Sequence, residues 1–153
     1  MAAESFGEIP WIGIPYGPRG GTSGRRVLVP IDGSATSLRA LDYVLARRAR
    51  GDALVPYLLT VVPHGEGVEE QLAERGKETT AAARARLDAD AVPYVLGVAA
   101  GPPAVAIARL ARELGCEEIV MGTRGLRALE GILLGSVAQR VLHLAEVPVT
   151  LVK

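Results

Sequence analysis

The chain has 153 residues, 49% of them apolar and 4% aromatic, which suffices for one domain with a core of Val, Leu, Ile and Ala. Its 17 basic and 17 acidic residues cancel, which argues against general nucleic-acid binding, because that needs a basic face to displace counterions. A lone cysteine, Cys116, excludes a disulfide framework and a cysteine-rich metal site, and no apolar run reaches membrane-spanning length.

Residues 1–24 carry six glycines and three prolines. No helical or strand period survives that punctuation, so the segment reads as a tail ahead of a domain over 25–153. Phe6, Trp11 and Tyr16 set it apart from a purely solvating linker. We expect Trp11 to dock on the domain or on a partner subunit. Glu4 and Glu8 stand where a secretory signal would need a continuous apolar stretch, so a cytoplasmic protein is expected.

From Arg25 the pattern becomes regular. "RRVLVPID" is an apolar run ending in Asp32. The helix that follows has Leu38, Leu41 and Leu45 at helical spacing, Ser34 as a natural N-cap and Gly51 just past its end. "YLLTVVP" is the second strand. Pro56 is expected before or at its start, because proline cannot donate inside a central ladder. A polar, alanine-rich stretch from Val68 to Asp88 predicts one helix, with Leu72, Thr80, Ala83 and Leu87 on a stripe. "VPYVLGVAAG" is the third strand. "PPAVAIARLARELG" is a helix with proline in its first turn and Ile107, Ala108, Ala111 and Leu114 inward. Cys116 reads as a small packed hydrophobe ahead of the fourth strand, "CEEIVMG". "SVAQRVLHLA" predicts a helix with Val137, Val141 and Leu144 inward, and "VPVTLVK" is the last strand.

Such alternation means an α/β fold: five strands in a parallel sheet with helices on both faces. In these sheets ligands bind beyond the carboxyl ends of the strands, where the strand order reverses. Asp32 ends the first strand and Gly122 the fourth. If those strands are neighbours, the two residues face one crevice.

Between the fourth strand and the last helix lies "GTRGLRALEGILLGS", with glycines at 122, 125, 131 and 135 and no lysine. Gly122 and Gly125 bracket a tight turn, and Gly135 and Ser136 open a helix whose first N–H groups lack intrahelical partners. Together they offer two sets of backbone donors for an anion. Without a lysine the segment is not a Walker loop, and the first strand, ending in "PIDGS", lacks the dinucleotide glycine fingerprint. Several residues allow two readings. Ser136 is a helix cap or a phosphate ligand, and Asp32 caps the following turn or binds a ligand. Arg124 and Arg127 are solvated or reach a phosphate. His64 reads as a loop residue, and His143 as one that favours the helix dipole or packs.

The spacing Gly122-x-x-Gly125, nine residues, then Gly135-Ser136 resembles the nucleotide motif of the universal stress protein family. The resemblance runs from Arg25 to Lys153 and includes "VLVPIDGS", "EEIVMGTRG" and "LLGSVAQRVLHLAEVPVTLV". It implies a five-stranded parallel sheet in the order 3-2-1-4-5, similar to the adenine nucleotide alpha hydrolase fold. One branch of the family carries this motif and binds ATP, and the presence of every motif position implies that branch. The resemblance then puts Pro30, Ile31 and Asp32 on the ribose and adenine side and Val62 against the base. Met121 and Gly122 form the pocket floor, and Thr123, Arg124, Gly125, Gly135, Ser136 and Val137 hold the phosphates. It also implies Mg or Mn beside the triphosphate, with no protein ligand cluster for the ion, and a homodimer through Val147 to Val152. No membrane partner is expected. Hydrolysis requires a positioned base, and none is evident. A regulatory, stress-response ATP binder with little or no turnover is the favoured reading. A slow nucleotide hydrolase and a nucleotide-free interaction module remain open.

Overall fold

The computed structural model describes residues 11–16, 23–62, 69–125, 131 and 134–153. Its elements in chain order are β1 (Trp11–Tyr16), β2 (Arg25–Pro30), α1 (Ala35–Ala49), β3 (Leu54–Val62), α2 (Glu69–Thr79), α3 (Ala81–Ala89), β4 (Tyr94–Ala100), α4 (Pro103–Glu113), β5 (Glu118–Gly122), α5 (Ser136–Leu144) and β6 (Val149–Val152). The six strands form one sheet in the order β1-β4-β3-β2-β5-β6. All neighbours run parallel except β1, which is antiparallel to β4.

This corrects the expectation of a five-stranded, purely parallel sheet in the order 3-2-1-4-5. The sheet has six strands and is mixed. The additional strand comes from the segment read as a tail without strand character. It is laddered from Trp11↔Ala99 to Tyr16↔Tyr94. The register explains how a Gly- and Pro-rich stretch manages this. The Gly101 N–H donates to the Val62 carbonyl (3.0 Å), so Val95, Gly97 and Ala99 turn their peptide groups toward β3. Tyr94, Leu96 and Val98 therefore face β1, opposite Tyr16, Ile14 and Ile12. Pro15 falls on the outer side, where its missing N–H breaks no ladder bond among the described strands. Phe6, His64 and Arg127 lie outside the described residues, as do the side chains of Trp11 and Tyr16.

Pro56 is a second correction. It sits inside β3, paired with Val27, rather than before or at the start. Its peptide group faces β4, and that ladder opens only at Tyr57↔Val95, so no donor is missed there either. The expected single helix from Val68 is two, α2 and α3, broken at Thr80. The Thr80 hydroxyl donates back to the Gly76 carbonyl (2.6 Å), a bond known to bend helices. The stripe itself stands, since Leu72, Thr80, Ala83 and Leu87 are all buried. On α5, by contrast, the inward residues are Ala138 and Val141, while Val137 and Leu144 are 37% and 40% exposed. The stripe keeps Val141 and replaces Val137 by Ala138, which packs in the same core layer as α4.

Strand alternation divides the core. Val27, Val29, Leu58, Leu96 and Val120 pack on one face with Leu41, Val44 and Leu87. Leu28, Leu59, Ile119 and Met121 pack on the other with Ile107, Leu110 and Val141. Cys116 belongs to the second layer, as a packed hydrophobe, and burial pushes its thiol up to about 12.

Candidate functional site

β2 and β5 are direct neighbours, and the sheet reverses direction of growth between them. Their carboxyl ends therefore open on one place. At the end of β2 the chain turns through Gly33, whose φ of 83° suits glycine, into α1. The Asp32 carboxylate accepts the Ser34 N–H through Oδ1 (2.9 Å). Ser34 is the N-cap of α1, accepting from the Ser37 N–H (3.2 Å). Asp32 thus shapes the turn through Oδ1. Its Oδ2 lies where a Cβ on Gly125 would come within 2.6 Å, so the absence of a side chain at Gly125 is what admits the carboxylate.

At the end of β5 the contacts are equally close. A Cβ on Gly122 would stand 2.9 Å from the Thr36 Cβ, so the first turn of α1 rests directly on this strand end. The Thr36 hydroxyl donates to the Arg124 carbonyl. The Thr123 N–H donates to the Val152 carbonyl (2.9 Å), tying the turn to β6. Gly135 donates to the Thr123 carbonyl (2.6 Å), and a Cβ on Gly135 would lie 3.9 Å from the Gly125 nitrogen. The two glycine-bearing segments of the motif therefore touch.

α5 begins at this point. Gly135 is its N-cap, with extended φ and ψ of −71° and 159°, and no side chain caps the first turn. Ser136 is the first helical residue and exposed, so it is not the N-cap that one reading of the sequence made it. The first turn of α5 points its positive dipole end to the side of the sheet where Asp32 and Gly125 meet.

The structure brings together Asp32, Gly122, Thr123, Arg124, Gly125, Gly135 and Ser136. Ile31 is buried, its carbonyl taken by the Thr60 hydroxyl (2.8 Å), and Pro30 is half-buried beside it. Val62 lies one strand over at the same edge, with its side chain in the core, as is that of Met121. The Val137 and Arg124 side chains are exposed. His143 is exposed in the last turn of α5. Thr36 was not among the residues singled out from the sequence. Its signal was the run of hydroxyls Ser34, Thr36 and Ser37 directly after a strand-ending aspartate. Among the described residues, no group of three or more His, Cys, Asp or Glu could hold a metal ion. No helix among them is long and apolar enough to cross a membrane.

Fold and site define an α/β protein whose switch point joins an acidic turn, a glycine turn and an uncapped helix start. The chain belongs to the universal stress protein family, whose model matches residues 24–153. Universal stress protein MJ0531 of Methanocaldococcus jannaschii is 33% identical over 139 residues, covering 84% of this chain and 82% of the relative. The solved structure of hypothetical protein MJ0577 matches at TM-score 0.63 and 31% identity, over 84% of this chain and 95% of that one. The universal stress protein from Archaeoglobus fulgidus in complex with dAMP matches at TM-score 0.61 and 25% identity, over 85% and 98%. β1 lies outside the residues that the family model matches.

Proposed function

We propose that this protein binds an adenine nucleotide, ATP in particular, at the carboxyl edge of β2 and β5, as a regulatory stress-response protein with little or no turnover. The observation that carries the reading is the bond from the Gly135 N–H to the Thr123 carbonyl (2.6 Å), which draws the first turn of α5 against the Gly122–Gly125 turn beside Asp32. The dAMP complex of the Archaeoglobus fulgidus relative supports the ligand class. Within the unit 25–153, Pro30, Ile31 and Asp32 take the ribose and adenine side, and Val62 lies toward the base. Met121 and Gly122 form the floor. The phosphates sit at Thr123, Arg124 and Gly125 and at Gly135, Ser136 and Val137, with the Ser136 and Val137 amides as the α5 donors because the Gly135 N–H is given to the Thr123 carbonyl. Mg or Mn would ride on the phosphates. Asp32 is bonded to the Ser34 amide at the sugar end, which leaves it badly placed to activate a water at the γ-phosphate.

A homodimer through Val147 to Val152 completes the proposal. β6 is the last strand of the sheet, and its four residues are half-buried in the single chain. An apolar edge of this kind favours pairing.

Calorimetry with ATP and Mg²⁺ tests the binding. We expect saturable heat with one site per chain and no steady phosphate release. Absence of both heat and a thermal shift would favour a nucleotide-free interaction module. Sustained phosphate release that falls in Arg124→Ala would favour a hydrolase.

A further inference from the structure

Three buried hydroxyls crowd the start of α1: Ser34, Thr36 and Ser37 are 8%, 8% and 5% exposed. Two of them serve the helix itself. Ser34 caps the Ser37 N–H, and the Ser37 hydroxyl donates to the Ser34 carbonyl (2.9 Å). Thr36 does something else. Its hydroxyl shares a bond with that of Ser34 (3.2 Å) and also reaches out of the helix, donating to the carbonyl of Arg124, 88 residues away in sequence. Its backbone and Cβ sit under Gly122 at the same time.

The consequence follows from peptide geometry. The Arg124 carbonyl and the Gly125 N–H belong to one planar trans unit and point in opposite directions. Holding the carbonyl on α1 therefore turns the Gly125 N–H away from α1. The preceding unit is held likewise, because the Thr123 carbonyl accepts from Gly135 (2.6 Å) and the Arg124 N–H points the other way. The first of these units needs the restraint more. Gly125 tolerates conformations closed to other residues, so a peptide on its N-terminal side flips at low cost. A flip would present a carbonyl oxygen where an anion needs an N–H.

We propose that Thr36 is a positioning residue for the phosphates: it pins the Arg124–Gly125 peptide so that the turn offers donors and not an acceptor. This rests on the nucleotide reading of the site. It adds that the discrimination for phosphate over the bare nucleoside is set in part from α1, outside the glycine motif.

Thr36→Val removes the hydroxyl at nearly constant shape, and Thr36→Ser keeps it. ATP affinity should fall about tenfold in Thr36→Val, the order of one lost hydrogen bond, and stay near wild type in Thr36→Ser. Competition by adenosine, which has no phosphate, should be unchanged in both. Equal ATP affinity in Thr36→Val overturns the proposal. So does an equal loss of ATP and adenosine, which would mean general damage to the fold, or a Thr36→Ser variant as weak as Thr36→Val. Amide exchange in nucleotide-free protein separates the proposal from the reading beneath it. Thr36→Val should exchange faster at 123–125 with the exchange of β2 and β3 unaltered. Unchanged exchange at 123–125 removes the clamp even if wild type binds ATP. Should wild type not bind ATP at all, the nucleotide reading falls, and with it the phosphate role, whatever the exchange shows.

Discussion

α1 meets β5 twice, at opposite ends of the strand and by different chemistry. At the amino end, Glu118 accepts two bonds from Arg47 (3.0 and 2.8 Å) and one from the Thr150 hydroxyl of β6 (2.8 Å). Arg47 also holds Asp52 (3.0 Å), and bonding to Glu118 and then to Asp52 raises its pKa. At the carboxyl end the same helix is joined by the Thr36 hydroxyl, a glycine and a backbone carbonyl. Full charges answer one another at the amino end, with both Arg47 and Glu118 side chains 15% exposed. The carboxyl-end contact is made by neutral groups, beside the Asp32 carboxylate and the first amides of α5, whose dipole end favours an anion. That difference makes one end a latch and the other a candidate site. A closed ion pair has little left to offer a ligand, whereas fixed dipoles do.

The largest effect expected at the carboxyl end comes from Gly125→Val combined with Gly135→Val. The added side chains would collide with Asp32 and press on the Thr123 carbonyl. With the turn displaced from its bonding geometry, ATP affinity should drop about 100-fold or more in calorimetry, the order of two misaligned charge-assisted bonds, with the far-ultraviolet spectrum intact. Undiminished binding by a folded double variant would break the comparison. At the amino end, Arg47→Ala leaves Glu118 half-enclosed without its cation. Denaturant unfolding should show a loss of about 1–3 kcal/mol, while ATP affinity stays within about twofold. A large loss of affinity there would mean that the two ends are not independent.

Cys116, at the amino side of β5, gives the smallest effect. Its folded thiol is pushed up to about 12, so the folded chain keeps a proton that the unfolded chain releases earlier. Stability from this group is intact below the free-thiol range, near 8.5, and declines as pH rises from there toward about 12. Alkylation at pH 8 should be slow without denaturant, and Cys116→Ala should show a shallower alkaline loss of stability. Rapid labelling of native protein would contradict the burial argument.

How much of this was legible in the sequence varies along the chain, for physical reasons. The apolar runs of β2 to β6 and the glycine spacing stood out because both rest on local patterns. Asp32 and Gly122 could be placed at one crevice from strand ends on the condition that their strands are neighbours, as β2 and β5 are. β1 could not, because its fitness as a strand depends on which side of it faces β4, and Pro15 is harmless only in that register. Pro56 escaped for the same reason. Val137 was read inward because a helical stripe is ambiguous by one residue when alanine stands beside valine. Thr36 was passed over because its partner is a backbone carbonyl far along the chain, which leaves no trace in composition or period.

The central claim is that backbone amides of two converging turns, and not a basic side chain, seat the phosphates. An amide chemical-shift titration of ¹⁵N-labelled protein with ATP and Mg²⁺ addresses it most directly. The account predicts saturating shifts at the amides of Gly122 to Gly125 and of Gly135 to Val137, with Asp32 moving in step. Shifts confined to other surfaces, such as the amino ends of the strands or β1, would contradict it.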